Sequence, residues 1–350
     1  MGFPSKKPKK HFFKQKPDGN YEIPDSFRLE VNRILNNAQN NIRSNPIFSS
    51  CQKDEARKRS KVLAGNIRLF TSCPAVFVAA VRQVFGSLIR VIHRNPISFY
   101  CAFGVNAHSQ DWHLVAEHLR KHEFFFDGDH EKFDKKMLCF LVKLAIIALG
   151  EFMIKCFRFS KRMDEKEILA FRRTVNIMAY DTAFAYYDFN GTLMQFFKSH
   201  ASGETLTTVV NNLVNLIYIA MAYRRCIPSD SQLINFFKLV APITYGDDFA
   251  LSVASQISEQ FNFETCRDAM ATFGIKITPA SKDKEGKKFC LFTELEFLKR
   301  RFVWCHELQR WTGPLDMSSI HKSLLIGVYE GNIPREQQCV EIMRSALFEM

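Results

Sequence analysis

Apolar and polar positions along the chain alternate between short β-rich runs and longer helical periods. Two apolar runs, 239–243 and 249–253, flank Thr244-Tyr245-Gly246-Asp247-Asp248, and short strands around a Gly-Asp pair predict a tight hairpin. Gly246 suits the first corner of a type II′ turn, where φ is positive. Helices are predicted over 26–42, 75–91, 106–121 and 135–149, and another carries Val210, Leu213, Val214, Ile217 and Met221 on a helical period. Phe124-Phe125-Phe126 reads as a strand running into Asp127-Gly128-Asp129. Residues 150–195 read as mixed and helical, with a turn at Asn190-Gly191. After the hairpin, an amphipathic helix over 257–273 precedes a strand over 275–278. An alternation at 297–302 suits a second hairpin, and 304–350 reads as helical and amphipathic.

The 350 residues are 47% hydrophobic, enough to build one large multi-lobed fold or two domains. Lys and Arg number 48 against 36 Asp and Glu, a net charge of +12, which favours a polyanionic partner such as nucleic acid or an acidic membrane surface. Lys6, Lys7, Lys9, Lys10, Lys14 and Lys16 form a solvated arm suited only to loose polyanion binding. The 10 cysteines are scattered with no C-x-x-C pair, which points to reduced thiols in a cytosolic compartment. No apolar run is expected to reach the length of a membrane-spanning helix, since 137–147 is broken by Lys143.

Candidate chemistry changes this picture at four places. Asp247 and Asp248 repel each other across a tight turn, and a divalent cation with hard oxygen ligands, Mg²⁺ or Mn²⁺, relieves that repulsion. The bland alternative is a solvated surface turn. Acids also crowd the end of the Phe124 strand, and spacing alone does not choose Asp129 over Asp127. Lys53 to Lys61 packs five cations into one stretch, either a solvated loop or a wall for phosphates. Ser202-Gly203 feeds a helix containing Asn211, Asn212 and Asn215. Asn is a poor helix former, and the pattern alone reads these amides as outward-facing.

Taken in order, these segments resemble the RNA-dependent RNA polymerases of positive-strand RNA viruses, and the picorna-like (Picornavirales) group above all, over about residues 50–330. The family's K-D-E-x-R segment with following Lys, Gly and Arg is matched by Lys53, Asp54, Glu55, Arg57, Lys61, Gly65 and Arg68. The resemblance implies that Arg57, Lys61 and Arg68 contact the nucleotide triphosphate. The D-x-x-x-x-D motif falls on Asp129 and Asp134, implying a metal ligand and a ribose-recognising residue, respectively. Ser202, Gly203, Thr207 and Asn211 match the nucleotide-binding Ser-Gly-x-x-x-Thr-x-x-x-Asn motif, and Tyr245 to Asp248 match Tyr-Gly-Asp-Asp. Lys282 stands where the family has its proposed general acid, and Lys299 and Arg300 stand in the hairpin that grips the RNA primer strand.

The implied fold is α/β (α+β), a polymerase right hand with an antiparallel palm sheet, partial fingers and a short thumb. The basic arm and start of the fingers would occupy 1–50, the fingers with the nucleotide-entry motif 51–110, and a fingers insertion 150–198. The palm would occupy 111–149 and 199–302, and an apparently truncated thumb 303–350. The implied activity is nucleotidyl transfer from ribonucleoside triphosphates to an RNA 3′ end, directed by an RNA template. It would use two Mg²⁺ ions, with Mn²⁺ able to substitute, on Asp129, Asp247 and Asp248. Implied partners are template and primer RNA and other viral replication proteins at membranes of the host cytoplasm, with no transmembrane segment in this chain. The Thr-Ser template motif of the fingers is not found in residues 1–50. That departure keeps open a catalytically silent RNA-binding fragment. A reverse transcriptase is a further alternative, against which Asp134 and the Ser-Gly/Thr/Asn helix argue.

Overall fold

The aromatic run does form a strand, Phe124–His130, in the computed structural model, which describes residues 12–53, 57, 59–66, 68–227, 235–280, 287–325 and 333–349. This strand belongs to a unit made of residues 92–131 and 215–350. Its sheet runs in the order Ile277–Thr278, Phe124–His130, Asp248–Val253, Val240–Tyr245, with every pairing antiparallel. One face packs Ile243 and Ala250 against Trp112, Val115, Ala116 and Leu119 of the helix Gln110–Leu119. On the other face Phe126 meets the rings of Phe249, Phe261 and Phe263 edge-on. Burial on both faces explains why these strands read as nearly continuous apolar runs. Gly128 lies opposite Phe249. A β-carbon there would stand 2.5 Å from the Phe249 ring, so the buried aromatic lies directly over the glycine.

The region after 302 departs from the helical expectation. Val303–Cys305 and Arg310–Thr312 pair as an antiparallel hairpin, and among the described residues of this region only Met317–Leu325 and Arg335–Glu349 are helical. Aromatic and β-branched residues favour the pleated state here. Trp304 and Trp311 face each other across the ladder with ring centroids 5.4 Å apart.

The other unit comprises residues 1–91 and 132–214. Its sheet runs Leu69–Ser72, Ile47–Gln52, Tyr186–Phe189, Thr192–Gln195, with Ile47–Gln52 parallel to Tyr186–Phe189. Residues 150–195 therefore hold two strands around the Asn190-Gly191 turn as well as helix. Cys139–Ser160 and Glu165–Ala183 form an antiparallel helix pair, the second opened by an Asp164–Glu167 capping box. Buried Asp181 fastens residues 43–45 to this pair by accepting from Arg43 Nε (2.9 Å), Ser44 N (2.8 Å) and Ser44 Oγ (2.6 Å).

One expectation is corrected. The helix Ala75–Arg94 is 20 residues long with a mean hydropathy of 1.7 in its most apolar window, which is long and apolar enough to cross a membrane by length and composition. Its Phe77, Ala80, Val81, Phe85 and Leu88 are buried, a stripe at the spacing of a core helix. All 10 cysteines are free thiols.

Gly128→Ala should destabilise the protein by about 1–3 kcal/mol through overpacking against Phe249. An unchanged thermal midpoint in calorimetry would show that the ring moves aside freely.

Candidate active site

The hairpin forms where turn chemistry places it. Val240–Tyr245 and Asp248–Val253 are joined by Gly246-Asp247, and Gly246 has a φ of +62° while Asp247 stays out of the left-handed region. Those signs are what a type II′ turn requires. Register then sets Asp129, at the exit of its strand, directly opposite Asp248. The carboxylates of Asp129, Asp247 and Asp248 offer oxygens that all lie within 4.8 Å of one another.

Asp127 is excluded, although in a regular strand it shares a face with Asp129. It sits one step further in, opposite Ala250. Its buried carboxylate accepts from the backbone N–H groups of Ala280 (3.0 Å) and Glu296 (2.9 Å). It holds two loops in place.

The electrostatics suit a cation. Burial, and then the charge of Asp247, push Asp129 up to about 6. Burial followed by Asp129, Asp247 and Glu296 push Asp248 up to about 7. Lys299 opposes both shifts without cancelling them. Crowded hard oxygens that resist sharing negative charge are the donor set a divalent ion satisfies.

The hairpin tip has an anchor that sequence reasoning missed. Asn215 donates from Nδ2 to the carbonyls of Gly246 (3.0 Å) and Asp248 (3.2 Å). Its Oδ1 accepts from His130 Nε2 at 2.9 Å. Burial pushes the His130 imidazole down to about 4, so the ring is a neutral donor. Asn212 and Asn215 are buried, so their amides do not face outward. The available signal was the rule that a polar side chain within an apolar helix needs a partner.

The Ser-Gly loop belongs to the other unit. A β-carbon on Gly203 would stand 2.0 Å from the Thr71 carbonyl oxygen, and Ser202 Oγ accepts from Thr71 N–H at 3.2 Å. Thr207 opens the helix Thr207–Cys226; its hydroxyl accepts from Glu204 N–H (3.2 Å) and lies 2.9 Å from the carbonyls of Ala201 and Glu204. Asn211 Oδ1 is 2.8 Å from Nδ1 of buried His200. Asp134, exposed in the short helix Phe133–Lys136, gives its backbone carbonyl to the His200 N–H at 2.9 Å. In the same unit Lys61 and Arg68 are exposed and Arg57 is partly buried, with Arg57 Nη1 donating to the Asn66 carbonyl at 3.4 Å.

Lys282 lies outside the described residues. Lys299 is exposed at a tight turn in which Leu298 (φ 56°) and Lys299 (φ 58°) are both left-handed and Phe297 bridges Arg300. Arg300 points elsewhere. Its guanidinium makes a bidentate pair with Glu349 (2.6 and 2.7 Å) and donates to the Gly313 carbonyl at 2.6 Å.

The chain has known relatives in sequence and in fold. The family model described as viral RNA-dependent RNA polymerase matches residues 10–346. The replicase polyprotein of Cricket paralysis virus is 28% identical over 303 residues, covering 85% of this chain. The RNA1 polyprotein of Broad bean wilt virus 1 is 31% identical over 256 residues, covering 72% of it. The chain spans 17% and 13% of those two polyproteins. The solved Sicinivirus 3Dpol RNA dependent RNA polymerase superposes with a TM-score of 0.76 at 18% identity, covering 99% of this chain and 72% of its own. The right-hand polymerase fold is thereby shared.

Glu204 supplies a pH test. Burial raises its carboxyl to about 7, against the N–H groups of Leu206 and Thr205. The folded state therefore holds the proton more tightly than the unfolded chain. This contribution to stability is complete below the ordinary carboxylate range and is lost as pH rises through 7, by roughly 3 kcal/mol in all. Glu204→Gln cannot titrate, so its thermal midpoint should gain on the parent between pH 5 and pH 8. Parallel midpoint curves would contradict the assignment.

Proposed function

The chain belongs to the viral RNA-dependent RNA polymerase family, and we propose that it transfers ribonucleotides from their triphosphates to the 3′ end of an RNA strand as an RNA template directs. The observation that carries this reading is the convergence of Asp129, Asp247 and Asp248 within 4.8 Å. These carboxylates would hold Mg²⁺, as two ions, with Mn²⁺ able to substitute. When bound, such ions supply Lewis-acid stabilisation of charge on the entering and leaving oxygens.

The chain's own residues divide the remaining work. Arg57, Lys61 and Arg68 bind the triphosphate oxygens, Arg by forked hydrogen bonds and Lys as a point charge. Ser202 and Gly203 shape the loop beside the nucleotide, and Thr207 fixes that loop to the helix. Asp134 and Asn211 read the ribose hydroxyl, which both donates and accepts. Lys282 keeps the role its motif implies, holding on Nζ the proton that passes to the departing pyrophosphate. Lys299 presents charge to the primer strand, whereas Arg300, paired with Glu349, braces the turn that displays it. The antiparallel sheet and its hairpin serve as palm (111–149 and 199–302). Segments 1–50, 51–110 and 150–198 serve as fingers, and 303–350 as thumb. Template and product RNA are the polyanions that the +12 charge attracts. The site of action is the host cytoplasm, in company with other viral replication proteins at membranes.

Primer extension on an RNA template tests this. With Mg²⁺, Asp247→Ala and Asp129→Asn should each lower ribonucleotide incorporation roughly a thousandfold or more, and chelation should abolish it in the parent. Equal incorporation by parent and variants would leave an RNA-binding fragment without catalysis. A clear preference for deoxynucleotides would point to a reverse transcriptase.

A further inference from the structure

Two buried histidines are joined to asparagines of one helix, Thr207–Cys226, one turn apart: His130 to Asn215 and His200 to Asn211. In the first pair the imidazole occupies the amide oxygen, and the amide NH₂ is thereby aimed at the carbonyls of Gly246 and Asp248. The second pair repeats the arrangement, with Asn211 Oδ1 2.8 Å from His200 Nδ1. Here the Nδ2 group donates to no described residue.

The polarity of the second pair follows from burial. Nε2 of His200 is buried with no partner among the described residues. If Nδ1 were the acceptor, the ring proton would sit on Nε2 as a buried N–H with nothing to receive it. An orphaned acceptor is tolerated better than an orphaned donor, so the proton belongs on Nδ1 and Asn211 Oδ1 accepts it. Burial also holds the imidazole below its ordinary range, which keeps it neutral. The same residue grips the other ribose-reading candidate, since its backbone N–H donates to the Asp134 carbonyl at 2.9 Å.

We propose that His200 is the positioning residue of the ribose pocket, fixing Asn211 as a hydrogen-bond donor that reads the ribose hydroxyl together with the acceptor carboxylate of Asp134. A donor and an acceptor together match a hydroxyl, which is both. Without His200 the amide is released to turn its oxygen toward the pocket, and two acceptors then compete for one hydroxyl proton. His200 thus sets selectivity for ribose over deoxyribose. This rests on the ribose reading of Asp134 and Asn211 given above.

The experiment is steady-state single-nucleotide incorporation by the full chain with matched ribo- and deoxynucleotides. His200→Leu removes the donor at similar bulk. It should raise KM for the ribonucleotide about tenfold and leave KM for the deoxynucleotide nearly unchanged, so discrimination falls about tenfold. His200→Gln, which restores an N–H donor, should recover most of that loss. His200→Leu combined with Asn211→Ala should discriminate no worse than Asn211→Ala alone. If Asn211→Ala itself leaves discrimination intact, the ribose reading fails and the positioning role with it. If Asn211→Ala lowers discrimination and His200→Leu does not, the positioning role alone is overturned. Should His200→Leu fail to fold, the parent protein still decides. Nitrogen-15 NMR of its imidazoles should show His200 neutral with the proton on Nδ1, and a proton on Nε2 would overturn the proposal.

Discussion

Like-charge crowding governs this structure. Three carboxylates from two distant stretches of chain are held within 4.8 Å of one another, close enough that Asp247 raises the proton affinity of Asp129 and both raise that of Asp248. Such a cluster persists only on a backbone that cannot relax away from it. The sheet provides that backbone: Asp129 and Asp248 occupy opposed positions of an antiparallel ladder, and Asp247 is fixed by a two-residue turn. Phe249 lying over Gly128 packs the same two strands one step further in.

The surrounding polar groups follow from that constraint. A hairpin tip bearing repelling charges needs its carbonyls tied down, and Asn215 does this from the neighbouring helix with a neutral histidine behind it. Neutrality matters because an imidazolium next to Asp129 would compete with a metal for the carboxylates. Burial keeps His130 uncharged, so the amide is oriented with no charge added. His200 and Asn211 repeat the contact in the other unit, where the amide Nδ2 group donates to no described residue.

Much of this was legible in the sequence where it depended on local chemistry. The hairpin followed from a Gly-Asp pair between apolar runs, and its turn has the predicted handedness at Gly246. The sheet strands were readable because burial on both faces leaves continuous apolar runs. The choice between Asp127 and Asp129 was not legible from spacing, because the two share a face and differ only in their position along the ladder. Their separation depends on loops at 280 and 296, more than a hundred residues away, that claim Asp127. The hairpin of Val303–Cys305 and Arg310–Thr312 was missed because each strand has three residues, too few to establish an alternation. Asn215 was noticed as anomalous, but its partners lie on separate stretches of chain. Arg300 was read as a nucleic-acid contact from its motif, yet Glu349, near the far end of the sequence, occupies its guanidinium.

Gly203 has a consequence for how this chain can vary. The Thr71 carbonyl oxygen occupies the space a side chain would need, and a main-chain oxygen in a sheet cannot rotate away as a side-chain tip can. Every other residue the genetic code can write brings a carbon atom to that spot, so no codon change that alters the amino acid here is silent in shape. Drift can pass through the surface cations one at a time, but at this glycine it meets a wall.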